Sequence, residues 1–129
     1  MEFDDKIPIY YQIKQYLYQE IITDRLKSGD QLPAVRQLAA DLTVNVNTVQ
    51  RALTELIQEG VLETKRGRGN FVTNDMKVLI DMKKRVIATE LDRLYHQLSE
   101  LNLSDEEMKD AFAAYVDEQE VKQEVKHDN

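Results

Sequence analysis

The sequence contains no cysteine, which excludes disulfides and thiolate metal sites and fits a reducing compartment. No apolar run approaches the ~20 residues a helix needs to span a bilayer, so no membrane partner is expected. The opening residues, MEFDDKIPIYYQ, are acidic and lack the basic-then-apolar order of a signal peptide, and a cytoplasmic location is the expectation. Histidine is scarce: His96 lies in a helical pattern and reads as a solvated helix residue, and His127 lies in the polar C-terminal stretch. There is no Walker loop, nucleophile elbow or cofactor fingerprint. The acidic run Asp105-Glu106-Glu107 suits the positive end of a helix better than a metal ion. No catalytic residue, metal site or cofactor follows, and the chain does not read as an enzyme. Proline and glycine are also few, two and four residues, so their positions carry information.

What is present is a short, charged, helix-rich pattern. At 129 residues the chain suits one compact domain or a small domain with an oligomerising appendix. Hydrophobic residues make up 42% and charged residues 32%, as long solvated helix faces require. Net charge is −7, the wrong sign for contact with nucleic acid, but its distribution matters. Residues 1–75 hold 9 Lys/Arg against 11 Asp/Glu, whereas residues 76–129 hold 8 against 13. Residues 64–73 contain Lys65, Arg66 and Arg68 and no acid. Screening over roughly 8 Å at physiological salt mutes remote acids, so the local field decides.

Residues 9–25 place Ile9, Ile13, Leu17 and Ile21 four apart, widened by Tyr10, Tyr16 and Ile22, which predicts an amphipathic helix with Pro8 near its first turn. Ser28-Gly29-Asp30 breaks that pattern. Pro33 opens a shorter helix with Val35, Leu38, Ala39 and Leu42 inward, and Asp41-Leu42-Thr43-Val44 carries a turn. Asn45 is placed to cap a third helix through the N–H of Asn47 or Thr48. That helix runs through Val49, Leu53, Leu56 and Ile57 to a left-handed stop at Gly60. Val61-Leu62-Glu63-Thr64 and Asn70-Phe71-Val72-Thr73 alternate as strands, and Gly67 and Gly69 allow a tight tip between them.

Two helices joined by a turn and followed by a basic hairpin make a helix-turn-helix with a β-wing. This layout sets one helix in the DNA major groove and a cationic loop beside it. Asn45, Asn47, Thr48 and Arg51 fall in the exposed N-terminal half of the third helix, with Gln50 adjacent. Asn47 suits adenine N6/N7 and Thr48 a phosphate or thymine methyl; Asn45 reads first as a structural cap. In the wing, Lys65, Arg66 and Arg68, on a tip made by Gly67 and Gly69, suit phosphates or a narrow minor groove. The plain alternative is a solvated hairpin tip, against which the glycine spacing and the missing acids weigh.

These residues resemble the GntR family of bacterial winged-helix regulators and, within it, the YtrA-like subfamily. The resemblance rests on Gly29-Asp30-Gln31-Leu32-Pro33, Arg36, Leu38-Ala39, Asn47-Thr48-Val49, Gly60 and the wing Arg66-Gly67-Arg68-Gly69-Asn70-Phe71-Val72, and covers residues 7–73. It implies that Arg36, early in the second helix, faces DNA, where a guanidinium binds guanine O6 and N7; otherwise it pairs with Asp41 or Asp30. Three positions depart from the family pattern. Ala34 stands where Ser is usual, leaving Gln37 without a capping partner and loosening the helix start by about 1 kcal/mol. Thr43 replaces a common Gly, which predicts strain or an altered turn. Val46 replaces Arg or Pro, removing a DNA contact and pointing to a different operator.

Beyond Asp75, Ile80, Ile87, Leu91, Leu94, Leu98 and Leu101 form a heptad seam broken by Lys84. Ser104 and Glu107 then have capping-box spacing, with Leu103 and Met108 in staple positions, and a last helix carries Met108, Ala111, Phe112 and Tyr115 on one face. This seam and Phe112 are read as a dimerisation surface; an intramolecular hairpin between the two helices is the alternative. The expected fold is mostly α with a small β-hairpin wing: a winged helix-turn-helix domain over 1–75, a helical dimerisation region over 76–118, and a polar, fraying tail over 119–129. The expected function is a transcriptional regulator, a repressor by preference, binding a palindromic double-stranded DNA operator as a homodimer. The competing reading is a winged-helix protein-interaction module without DNA specificity. With no separate ligand domain, a small-molecule effector has to bind between the C-terminal helices or at the dimer seam, unless control is through protein level alone.

Overall fold

A computed structural model describes residues 1–127. In chain order it has α1 (Ile9–Ile22), α2 (Val35–Leu42), α3 (Val46–Gln58), β1 (Leu62–Lys65), β2 (Gly69–Val72), α4 (Met76–Glu100) and α5 (Asp105–His127). The mostly helical, winged expectation agrees with this order. The chain divides into two compact units, Met1–Val86 and the residues from Ile87 onward. The first unit thus extends past the expected boundary at Asp75, because the first turns of α4 belong to its core. Met82 is buried in that core, and Val78, Leu79 and Val86 pack against the same core.

The core of the first unit is built from the inward stripes of three helices. Ile13, Leu17 and Ile21 of α1, Leu38, Ala39 and Leu42 of α2, and Val49, Ala52, Leu53 and Leu56 of α3 meet Val61, Leu62 and Val72 of the wing. Ile9, expected to start the α1 stripe, is 44% exposed. α1 stops at Ile22, before the expected end, because Asp24 turns into the left-handed region at φ 62°. α3 begins as expected: Asn45 Oδ1 accepts from the Asn47 N–H at 2.7 Å.

The wing pairs antiparallel with Leu62 opposite Val72 and Lys65 opposite Gly69, one residue displaced at each end from the expected strands. The backbone between α1 and α2 also joins it. Gly29 N donates to Val72 O, Val72 N to Asp30 O, and Leu32 N to Asn70 O, each at 2.9 Å. The stretch from Gly29 to Leu32, expected only as a break, therefore lies along β2 and ties the hairpin to the helices.

In α4, Asp75 Oδ1 accepts from Lys77 N at 3.1 Å, an N-cap that periodicity did not reveal. In the second unit, Asn102 at φ 62° ends the helical run. The capping box then forms as expected: Glu107 N donates to Ser104 Oγ at 3.2 Å, and Ser104 N donates back to Glu107 Oε1 at 3.0 Å. Those hydrogen bonds to Ser104 hold the Glu107 carboxyl below its ordinary pKa. The expected helix end near 118 is a correction: α5 continues to His127. Residues 119–127 contain no Gly or Pro, and Lys122 pairs with Glu118 one turn back at 3.6 Å, so nothing interrupts a run of Glu, Gln and Lys. Residues 128–129 of the expected tail lie outside the described residues.

Candidate nucleic-acid interface

α3 divides sharply by exposure. Val49, Ala52, Leu53 and Leu56 are at 0%, while Asn47, Gln50, Arg51 and Thr54 are exposed on the other side and Thr48 is half-buried. Apart from Val46, 42% exposed at the helix start, the outward face is polar and lies mainly along the N-terminal half of the helix. Its first turn holds no acid, so the positive end of the helix dipole favours an anion such as phosphate. Asn45 spends its side-chain oxygen on the cap, which gives it a structural task first.

Other side chains on this face are already oriented. Gln50 Nε2 donates to Thr54 Oγ1 at 3.3 Å, and Thr54 Oγ1 donates to Gln50 O at 2.8 Å. Thr54 was missed from sequence although it stands one turn after Gln50, at the i+4 spacing that signals a shared face. The Arg51 guanidinium carbon lies 3.7 Å from the centre of the Tyr10 ring, and Arg51 Nε is 3.6 Å from Glu55 Oε2.

Arg36 is exposed in the first turn of α2. Both acids that could have held it have other partners: Gln37 Nε2 donates to Asp41 Oδ1 at 2.7 Å, and Lys27 N donates to Asp30 Oδ2 at 2.8 Å. Gln37, expected without a partner, is therefore engaged, because Asp41 stands one turn on. Ala34 supplies no side-chain cap to α2, as its identity requires. Thr43 adopts φ 57°, ψ 51°. Val44 N donates to Ala39 O and Thr43 N to Ala40 O, the paired bonds that place a left-handed residue at a helix end.

The wing presents Arg66, Gly67, Arg68 and Gly69 exposed, with Lys65 half-buried. Arg68 N donates to Lys65 O at 2.9 Å, closing the turn, and Gly67 and Gly69 take φ 76° and 115°, where a side chain would be strained. Phe71 sits beneath the cations: Lys65 Nζ is 4.5 Å and the Arg68 guanidinium carbon 5.4 Å from its ring centre. Gln31 Nε2 donates to Arg68 O at 2.6 Å, fastening the tip to the extended segment before α2. Sequence reasoning did not find Gln31 or Phe71 as wing supports, since their partners lie far along the chain.

Behind this surface a partly buried ionic cluster gathers around Lys14. Lys14, 9% exposed, reaches Glu55 Oε1 at 3.1 Å and Glu59 Oε2 at 3.0 Å. Glu59 Oε1 accepts from the Tyr18 hydroxyl and lies 3.4 Å from Arg85 of α4. Burial works to lower the Lys14 pKa, but its bonds to Glu59 and Glu55 outweigh that and leave it above the ordinary lysine value. Burial, then the bond to Glu59, push Tyr18 up to about 12.

In the second unit the seam residues Ile87, Leu91 and Leu101 are 49%, 53% and 69% exposed, and Phe112 is 52% exposed; Leu94 and Leu98 are half-buried. Ile80, the first seam position, is 51% exposed within the first unit. A cleft of about 510 Å³ is lined by Leu91, Leu94, Leu98, Met108 and Phe112, with Asp92 and Lys109 among its walls. The alternative of an intramolecular hairpin is met only in part: Met108 is buried, yet most of the seam is left open. His96 is exposed and 3.3 Å from Asp92, a surface helix pair. Among the described residues no His/Asp/Glu group is arranged to hold a metal ion, and no helix is long and apolar enough to cross a membrane.

A capped helix with an outward polar face, a preceding helix carrying an exposed arginine, and a braced cationic hairpin define a winged helix-turn-helix DNA-binding protein. The model of the gntR family of bacterial regulatory proteins matches residues 9–72. The chain is 32% identical over 116 residues to the HTH-type transcriptional regulator YhcF of Bacillus subtilis, covering 90% of this chain and 96% of YhcF. It is 41% identical over 88 residues to the HTH-type transcriptional repressor YtrA of the same organism, covering 67% of this chain and 68% of YtrA. A solved GntR family transcriptional regulator from Listeria monocytogenes matches with a TM-score of 0.79 at 34% identity, covering 90% of this chain and 98% of that one. The chain belongs to the gntR family and is a DNA-binding transcriptional regulator.

Proposed function

We propose that the protein is a cytoplasmic repressor, without enzymatic activity, that binds a palindromic operator as a homodimer. Asn47, Thr48, Gln50 and Arg51 address the major groove, Arg36 the flanking backbone or a guanine, and Lys65, Arg66 and Arg68 the phosphates or minor groove beside it. Asn45 holds the start of α3, and Gly67 and Gly69 shape the tip. The observation that carries this reading is the polar, acid-free outward face at the start of α3, found in the same unit as a braced cationic wing. The repressor named YtrA, similar over two thirds of its length, supports the direction of control.

One winged unit covers too little surface for tight, specific binding, since single modules bury roughly 600–1,000 Å². The open seam of Ile80, Ile87, Leu91, Leu94, Leu98 and Leu101, with Phe112, supplies a self-complementary surface for a second copy. A two-fold pair then requires half-sites about one helical turn apart. The cleft beside Leu94 and Phe112 is where a small-molecule effector would alter that pairing.

Selection from a pool of random duplexes, followed by sedimentation of the protein with the winning duplex, tests the proposal. A palindromic duplex bound by two chains is expected. Arg66→Ala with Arg68→Ala should weaken retention and lower the log–log salt slope by about 0.9 for each phosphate that is no longer neutralised. A protein monomeric at micromolar concentration, or one preferring no duplex over random competitor, overturns it.

A further inference from the structure

Arg51 is the one cation on the outward face of α3, and it is held from two directions. Tyr10, in the first turn of α1, lies under it with the guanidinium carbon 3.7 Å from the ring centre, close enough for a stacked cation–π contact. Glu55, one turn further along α3, faces its Nε at 3.6 Å through Oε2. Glu55 is itself fixed, because its other oxygen meets the buried Lys14 ammonium at 3.1 Å. Tyr10 and Lys14 are one turn apart on α1, so a single face of that helix supplies both the platform for Arg51 and the anchor for its carboxylate. The Arg51 side chain is nevertheless 63% exposed. Pairing through Nε leaves Nη1 and Nη2 as donors, in the fork that matches guanine or phosphate.

We propose that Tyr10 and Glu55 are positioning residues for operator recognition: they hold the Arg51 guanidinium in one orientation on α3 and so set the base preference at the operator position it reads. A free arginine loses rotamer freedom when it docks on a base, whereas one stacked and paired beforehand loses less, and wrong bases meet a donor pair that does not readily turn away. α1 thereby acts on specificity from outside the helix-turn-helix. This inference rests on the reading of α3 as the DNA-facing helix.

The test uses the full chain and the duplex that the wild-type protein selects from a random pool, with binding measured to every single-base variant of that duplex. Arg51→Ala should relax preference at one base pair per half-site. Tyr10→Ala and Glu55→Gln should relax the same pair by about three- to tenfold, leave the other pairs unchanged, and add nothing in the Arg51→Ala background. Tyr10→Phe, which keeps the ring, should retain the preference. Thermal melting checks that each variant is folded at the assay temperature, and Glu55→Gln carries the test if Tyr10→Ala is not. If Arg51→Ala relaxes that pair but Tyr10→Ala and Glu55→Gln do not, the positioning role falls while the DNA reading stands. Loss in Tyr10→Phe equal to that in Tyr10→Ala, or losses additive with Arg51→Ala, also overturns it. Unchanged discrimination in Arg51→Ala removes the role of the arginine and of its supports together, and a pool yielding no preferred duplex removes the DNA reading itself.

Discussion

The two units of this protein treat apolar surface in opposite ways. In the first, helices of 8 to 14 residues bring Ile13, Val49, Ala52, Leu53, Leu56 and Val61 to complete burial. In the second, the rest of α4 and the 23-residue α5 bury Met108, while Leu91, Leu101, Phe112, Tyr115, Val121 and Val125 stay half exposed or more. Helix length and a hydrophobic repeat are therefore poor guides to a closed core. What separates the units is closure: the wing and the start of α4 complete the core of the first, whereas the two helical segments of the second leave most of their apolar side chains exposed.

The sharpest way to break the contrast is to truncate one leucine in each unit. Leu53→Ala removes a side chain at 0% exposure and should cost about 3 kcal/mol, from forfeited transfer energy and the cavity left behind. Urea unfolding should show that loss at every protein concentration. Leu91→Ala removes a side chain that is 53% exposed in the single chain, so its cost should appear only as a concentration-dependent loss of stability and a shift toward monomer in sedimentation. Equal, concentration-independent losses would mean that the seam is an ordinary solvated face.

A smaller effect sharpens the account of the first unit. Thr43 is a β-branched residue at φ 57°, a conformation that costs roughly 1–2 kcal/mol for such a side chain. Glycine removes that strain but gives the unfolded chain more freedom. Thr43→Gly should therefore stabilise the protein by about 1 kcal/mol or slightly less, read as a higher urea midpoint at unchanged slope. A lower midpoint would show that the threonine side chain contributes more than its backbone strain costs.

The residues legible in the sequence were those whose partners are near in the chain. Asn45 with Asn47 and Ser104 with Glu107 follow from local rules of helix caps, the strained turn at Thr43 was implied by the resemblance, where Gly is common, and each has the expected geometry. The unread features are pairings across distance. Gln31 reaches Arg68, Lys14 reaches Glu55 and Glu59, and Met82 enters a core that seemed to end at Asp75. Tyr10 looked like one more apolar position widening the α1 stripe; only folding brings its ring under Arg51. The length of α5 escaped for another reason. A polar repeat resembles a tail by composition, yet its residues are good helix formers with no breaker among them.

Two tyrosines carry the comparison between the units into pH. Tyr18 is 7% exposed, and burial together with its bond to Glu59 raises it to about 12 from an ordinary value of 10.0. Tyr95, on α4 in the second unit, is raised as well, by its hydrogen bond to Asp105, but that bond stands in solvent. For a group whose folded pKa is raised, the protonated form is favoured by folding. Its contribution is complete below pH 10.0 and is lost as pH climbs toward 12. Lys14, raised by Glu59 and Glu55 against its burial, moves in the same direction at still higher pH. Urea unfolding at about pH 8 and pH 11 should show wild type losing about 1 kcal/mol more than Tyr18→Phe across that interval. Tyr95→Phe should follow the wild-type curve, since the solvent around its bond screens it. A Tyr95→Phe curve flattened as much as that of Tyr18→Phe would put an ionisable, water-excluded contact in the second unit and erase the distinction between the two.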